Sequence, residues 1–412
     1  MSQSSPLPAA QRLIALADDG SLLEIGGRAR SQQPSVAKTT PADGVHVAFA
    51  RIHGREALLV VENRDALAHS DREVARNKLI RALDIAMARR LPTILVLDAP
   101  EGPLARFEPA TGELHGRMSD PSLSPDPSAR QAPLLAITLG PVRGLAMEWH
   151  AQADLVISTT DNDPTADIVA SDEHEALECG RRVLAWCEGR PHPTAREGRS
   201  SELPEQPFSI AETADSLTDP GTSIPLSSGD AVMGCLARVE GWPTLFLGAQ
   251  GPLSSLDLDR IRRSVDLSGR LGTPLVLLQD CPGYAPSAAN NLEALARLTA
   301  SFRRWSNPRV AVVCGAGHVL GSFALGARPL GLAFAIAWPW ARLALNDPPT
   351  YDVASLERER QPDPWVAAGL GLVEDVLTPQ ETADTLKRLV AMFHSPENQA
   401  DTSTNRYRIY SQ

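Results

Sequence analysis

The sequence predicts an α/β protein built from two copies of one unit. Three observations carry this prediction. Apolar, strand-like runs alternate with amphipathic helical stretches. The order of these segments repeats between the two halves of the chain. The longest apolar runs end in Asp-x-Pro or in glycines, as buried parallel strands do where they open into loops at their C-terminal ends.

Size and composition fit this reading. At ~150 residues per domain, 412 residues suit two or three domains. Apolar residues make up 43% and charged residues 22%, which is enough to bury a sizeable core and excludes wholesale disorder. Lys plus Arg total 39 against 50 Asp plus Glu, a formal net charge of −11. Such a chain is a poor general binder of nucleic acid or anionic membrane, though it can still place basic side chains locally against an anionic ligand. Cys179, Cys187, Cys235, Cys281 and Cys314 form no C-x-x-C pair, so zinc-ribbon, thioredoxin and disulfide-framework readings lack support. The N-terminus has no signal-peptide pattern. The apolar stretch from Leu330 to Leu345 is shorter than a membrane span and is interrupted by Pro339 and Arg342. The expectation is a soluble cytoplasmic protein.

Each copy opens with a strand, a tight turn at glycine and a second strand: Ala48 to Gly54 then Ala57 to Val61, and Cys235 to Gly241 then Thr244 to Leu247. A helical stretch follows, with apolar positions Val74, Leu79, Ile80, Leu83, Ile85 and Ala86 in one copy and Leu258, Ile261, Val265 and Leu267 in the other. Next come the best-matched segments, Leu91 to Pro100 and Thr273 to Pro282, both buried strands that reach Asp-x-Pro. A further strand then enters glycines, Pro133 to Ala146 and Pro308 to Phe323. Another follows, Ala153 to Ser158 and Leu332 to Ala337. Stretches rich in Pro, Ser, Gly and charge lie near 26–44, 108–131 and 189–230. The expected organisation is a lead-in helix over 1–44, a first domain over 45–190, a linker over 191–230, a second domain over 231–395 and a tail over 396–412.

The strand–glycine–helix segments are the first chemical candidates. The turn leaves backbone N–H groups unpaired, and these hold an anion or a developing oxyanion when small residues let it approach. Gly144-Leu145 and Gly321-Ser322 are the pairs in question; the plain alternative is a tight turn and close helix–sheet packing. Asp280-Cys281-Pro282-Gly283-Tyr284 is the second candidate. It either lines a ligand cleft, or Asp280 caps the next turn while Pro282-Gly283 makes a type II turn. Cys281 has no catalytic partner pattern around it and reads as a small buried hydrophobe. His318, beside the glycines, either polarises a ligand or serves structure. No metal-ligand spacing, Walker motif or complete dinucleotide fingerprint is present.

These residues resemble the carboxyltransferase (beta) subunits of biotin-dependent acyl-CoA carboxylases. Gln11 to Glu24 is similar to that family's opening helix and Asp-x-Gly-Ser turn, and Gln279 to Tyr284 to its Val-Asp-x-Pro-Gly-Phe. Ala337 to Asn346 is similar to its Ala-Trp-Pro-Thr-Ala-Glu-Ile-Ala-Val-Met, and Ala367 to Thr382 to its closing segment. The order is collinear along nearly the whole chain, and the malonate decarboxylase catalytic subunits are close relatives. The resemblance implies two tandem crotonase-like (ββα-superhelix) domains. It implies carboxyl transfer at the α-carbon of an acyl thioester, on coenzyme A or an acyl-carrier protein, through an oxyanion-stabilised enolate. Carboxybiotin on a separate carrier is the implied partner, no metal is implied, and a homo-oligomer shares its sites between subunits. Gly144, Leu145, Gly321 and Ser322 take the catalytic N–H positions; Asp280, Pro282, Gly283 and His318 lie beside the substrate. The chain departs from the family pattern at Glu62 to Ser70, which replaces a Gly-Gly-Ser loop, and at Leu145 and Ser322, each of which replaces a glycine. Two alternatives stay open: a biotin-independent malonyl-thioester decarboxylase, and a non-catalytic scaffold subunit of a carboxylase complex.

Overall fold

The apolar runs form two large sheets, one in each of two units, Met1–Cys187 and Glu188–Gln412. The computed structural model describes residues 7–30, 37–67, 73–98, 105–108, 113–116, 132–140, 142, 150–160, 163, 165–187, 209–227, 229, 231–284, 288–318, 330–344 and 363–395.

The first unit begins with α1 (Ala9–Leu16) and β1 (Leu23–Ile25), then the hairpin β2 (Val45–Ile52) and β3 (Arg55–Glu62). The hairpin turns on two residues, His53 at φ 49° and Gly54 at φ 79°, the left-handed pair that matches strand twist. The short helix α2 (Arg64–Leu67) and α3 (Glu73–Arg89) lead to β4 (Thr93–Leu97). The strands β5 (Ala105–Glu108) and β6 (Glu113–Gly116) pair with each other, apart from the main sheet. They fall partly in the stretch expected only to punctuate structure. Then come β7 (Leu134–Thr138), β8 (Leu155–Ser158), β9 (Ile168–Val169) and α4 (Glu173–Trp186). The sheet runs β1-β2-β3-β4-β7-β8-β9, antiparallel through the hairpin and parallel from β3 onward. Its middle strands are buried on both faces, which is why Thr93–Leu97 and Leu134–Thr138 read as continuous rather than alternating apolar runs. The α3 side chains Ala75, Ala82, Leu83 and Ala86 cover one face with Val47, Leu58, Val60 and Leu95.

The second unit repeats this plan. It holds α5 (Ile210–Leu217), β10 (Ile224–Pro225), β11 (Val232–Val239), β12 (Trp242–Gln250), α6 (Ser255–Leu271), β13 (Leu275–Cys281) and α7 (Ala288–Arg304). There follow β14 (Arg309–His318), β15 (Phe334–Ala337), β16 (Arg342–Ala344), α8 (Pro364–Gly369), β17 (Asp375–Val376) and α9 (Pro379–Phe393). The sheet order is β10-β11-β12-β13-β14-β15-β17, and β16 pairs with the far end of β14. Ile210, Ala214 and Leu217 of α5 share one core with Phe246, Val276, Val312 and Trp338, and with Leu386 and Val390 of α9. The distal part of the expected linker is therefore built into the second unit's core.

The repeat extends to polar scaffolding. In the first unit Asp18 accepts the N–H of Gly54 at 2.7 Å and of His53 at 3.0 Å, and its own N–H donates to Arg51 O at 2.7 Å. In the second, Asp219 accepts the N–H of Gly241 at 2.7 Å and of Glu240 at 3.1 Å, and donates to Arg238 O at 2.7 Å. Ser21 and Thr222 hydroxyls accept the Arg51 and Arg238 N–H groups at 3.0 and 3.1 Å. The signal lies in the sequence as Asp18-Asp19-Gly20-Ser21 and Asp219-Pro220-Gly221-Thr222. A short helix, a glycine turn and a hydroxyl set the carboxylate over each hairpin turn.

Candidate functional site

Parallel strands direct their C-terminal ends to one edge of a sheet, where ligands bind in α/β folds. In the first unit that edge carries Glu62 after β3, Asp98 after β4 and Gly140 after β7. Asp98, only 6% exposed, is held from two sides. Its Oδ2 is 2.8 Å from Arg12 Nη2, and its Oδ1 is 2.6 Å from Arg64 Nη2 and 2.8 Å from Arg64 Nε. Its backbone N–H donates to Glu62 Oε2 at 2.8 Å. Arg12 reaches the edge from α1 and also pairs with Glu173 Oε1 at 2.6 Å and donates to Glu62 O at 3.2 Å. Glu173 sits in the first turn of α4, where a carboxylate suits the helix dipole. Buried ions recover their lost hydration only when every partner is in place. This network therefore fixes α1, α4 and the ends of β3 and β4 against one another. The Asp-x-Pro end of β4 marks Asp98 in the sequence but not its partners, because Arg12 and Arg64 come from α1 and α2.

The second unit's edge is arranged differently. Asp280 Oδ1 accepts the N–H of Ala316 at 2.8 Å, and its Oδ2 accepts from Gln250 Nε2 at 3.2 Å. The carboxylate thus ties the ends of β12, β13 and β14 together instead of capping the turn that follows it. The register between β13 and β14 slips after Gln279, where Cys281 faces Gly317. β14 continues through Gly315, Ala316 and Gly317, so these are strand residues and not the start of a turn. Pro282 and Gly283 follow; Gly283, at φ 133°, accepts the Leu253 N–H at 2.9 Å and so docks against the segment leading into α6. Cys281 is buried, donates to Gly283 O at 3.3 Å, and burial pushes its thiol up to about 12. It is a packing residue, as its surroundings in the sequence suggested. The backbone of His318 pairs with Ala344 of β16. Gly144, Leu145, Gly321 and Ser322 lie outside the described residues.

One polar group at this edge is not accommodated. Gln279 is 2% exposed, and its Nε2 has no hydrogen-bond partner among the described residues. Among the described residues no group of three or more His, Cys, Asp or Glu side chains is placed to hold a metal ion, and no helix is long and apolar enough to cross a membrane.

Two sheets with the same strand order, each led by a hairpin and closed by a helix, define an α/β protein built from two repeated units. Residues 159–351 match the carboxyl transferase domain family. Along most of its length the chain is similar to the beta chains of biotin-dependent acyl-CoA carboxylases. It is 21% identical to the propionyl-CoA carboxylase beta chain of Saccharopolyspora erythraea, over 93% of this chain and 87% of that one. It is 22% identical to the methylmalonyl-CoA carboxyltransferase 12S subunit of Propionibacterium freudenreichii subsp. shermanii, over 93% and 88%. The fold matches the crystal structure of transcarboxylase 12S with methylmalonyl-coenzyme A and methylmalonic acid bound, with a TM-score of 0.79 at 18% identity over 98% of this chain and 92% of that one. It also matches a single-chain, multi-domain long-chain acyl-CoA carboxylase, with a TM-score of 0.75 at 18% identity over 92% of this chain and 45% of that one.

Proposed function

We propose that this protein is an acyl-CoA carboxyltransferase. It moves a carboxyl group at the α-carbon of an acyl thioester, with carboxybiotin on a separate carrier as second substrate. The observation that carries the reading is the relationship to the propionyl-CoA carboxylase beta chain, which spans 93% of this chain and 87% of the relative and so takes in both units.

The hard species in this reaction is the enolate, whose oxygen must meet preorganised N–H donors before the carboxyl group moves. Gly144-Leu145 and Gly321-Ser322 are assigned as donor pairs, one for the thioester carbonyl oxygen and one for the biotin ureido oxygen, each donor worth about 3–4 kcal/mol of transition-state stabilisation. The Asp280 clamp acts on the second edge from behind, by fixing where β14 ends. Pro282 and Gly283 are assigned to the wall beside the substrate, and His318 to the adjoining strand end. Biotin, when presented, supplies a carboxyl group activated on nitrogen. The chain's own residues then need supply neither nucleophile nor metal, and burial keeps the thiols of Cys179, Cys235, Cys281 and Cys314 protonated.

A biotin carboxylase and biotin carrier are the proposed partners, as the name of the Mycobacterium tuberculosis biotin-dependent long chain acyl-coenzyme A carboxylase beta4 subunit suggests for that relative. A homo-oligomer is proposed from the hexamer described for transcarboxylase 12S. Exposed Trp365, Val366 and Leu370 around α8 are apolar surface of the kind that subunit contacts cover. Five cysteines with no disulfide among them suit the reducing cytoplasm, where we place the protein.

Mass spectrometry of malonyl and methylmalonyl thioesters incubated with the protein, with and without a biotinylated carrier, tests the reading. Carboxyl exchange that requires the carrier is expected. Carboxyl loss without the carrier would make the protein a biotin-independent decarboxylase. Neither binding nor conversion of any thioester would overturn both readings and leave a scaffold.

A further inference from the structure

The β3 end of the first unit holds an arginine that its ion pair does not use up. Arg64 places Nε and Nη2 on a single oxygen of Asp98, at 2.8 and 2.6 Å. That carboxylate already has a buried counterion in Arg12, 3% exposed and 2.8 Å from the other oxygen. Arg12 also pairs with Glu173 Oε1 at 2.6 Å, so the two arginines and the two carboxylates form one balanced network. Arg64 is 50% exposed, and its Nη1 has no partner among the described residues. Its position is also defined on the other side: a Cβ built on Gly140 would lie 3.1 Å from Arg64 Nη2. The guanidinium therefore spans the ends of β4 and β7, at the edge where a parallel sheet receives its ligand.

A guanidinium held by a buried carboxylate is a preorganised fork, with its remaining N–H groups fixed in direction before any ligand arrives. We propose that Arg64 binds an oxyanion of the thioester substrate, either the free carboxylate of a carboxyacyl group or a phosphate of coenzyme A. The inference rests on the carboxyltransferase reading for the identity of the ligand, but not for the existence of the anion site.

Calorimetric titration of the full chain with malonyl-CoA, acetyl-CoA and malonyl-pantetheine tests it, without turnover. Arg64→Met keeps the aliphatic stem and removes the charge; Arg64→Lys keeps the charge and loses the fork. Arg64→Met is expected to weaken binding about 10- to 100-fold, the worth of one hydrogen bond to a charged group, with Arg64→Lys between it and the parent. Loss confined to the two malonyl thioesters identifies the carboxylate. Loss confined to the two CoA thioesters identifies the phosphate. Unchanged affinities in Arg64→Met overturn the proposal. Equal loss for all three ligands with a lowered melting temperature also overturns it, since that is the signature of a structural role. A parallel titration with malonate and with inorganic phosphate separates the two ideas. Binding of either ion that Arg64→Met abolishes, in a protein that binds no thioester, upholds the anion site and overturns the carboxyltransferase reading.

Discussion

Asp280 accepts the Ala316 N–H at 2.8 Å, and that bond leaves no space for a side chain on the residue before it: a Cβ at Gly315 would stand 2.2 Å from the Asp280 oxygen. The glycine and the carboxylate are one device, on successive strands of the sequence and close together in space. Gly315→Ala should destabilise the second unit by about 1–3 kcal/mol, the usual cost of forcing atoms into a packed site. Asp280→Ala removes the obstructing oxygen. The double variant should therefore be more stable than the sum of the two single losses by at least about 0.5 kcal/mol, a coupling that neighbours in contact show and distant sites do not. Urea unfolding of the four proteins in the cycle measures it.

The two hairpin clamps should each matter to folding. Asp219→Ala leaves the Glu240 and Gly241 N–H groups without their acceptor and should cost about 1–3 kcal/mol in urea unfolding.

Asp18 adds a pH dependence. Burial pushes its carboxyl up, but the Gly54 and His53 N–H groups and the Arg181 guanidinium outweigh burial and hold it below its ordinary 3.8. A carboxylate depressed in the folded state stabilises fully above the unfolded value, and that stability is lost as pH falls through the folded one. Below about pH 4, then, the parent should lose stability faster than Asp18→Asn. Melting temperatures of the two proteins between pH 5 and 2.5 would converge if this holds; parallel curves would refute it.

Gln279 should be a stability defect. Its buried Nε2 lacks a partner, and a buried amide in that state costs about 1–3 kcal/mol. Gln279→Leu keeps most of the volume and removes the orphan, so its melting temperature should rise. A fall would mean that the amide is being paid back by something it binds.

The thiols predict an order of labelling. Burial pushes Cys179 and Cys235 up to about 11 and Cys281 up to about 12, and raises Cys314 as well. Thiolate is the reactive form. Iodoacetamide at pH 8 should therefore modify the half-buried Cys187 first, and peptide mass spectrometry should find the other four slow in the folded protein. Cys281→Ser should retain carboxyl exchange.

Much of the fold was legible because its signals are local. The hairpin turns carry glycine at positive φ, and strands buried on both faces are unbroken apolar runs such as Thr93–Leu97 and Leu275–Leu278. The polar architecture was less legible. Asp98 and Asp280 occupy matching points in the repeat, yet one carboxylate faces two arginines and the other a backbone N–H and an amide. Nothing in either tripeptide distinguishes them, since their partners come from α1 and α2 in one unit and from β12 and β14 in the other. Helix α5 was missed for a related reason. Ile210–Leu217 is flanked by Pro, Ser and Asp, so it read as linker; what makes it a helix in place is the apolar face it shares with Phe246 and Leu386.

In each unit the first helix meets the last. Arg12 of α1 pairs with Glu173 of α4, and the Arg181 guanidinium of α4 donates to Leu16 O at 2.6 Å, while α5 and α9 share the core around Trp338. A unit whose two ends are neighbours is close to a ring. Its order of connection is then a convention that the packing does not depend on. The tie between last and first helix, more than any hairpin, is what would let either unit be opened at a new point and rejoined at the old one as a circular permutant.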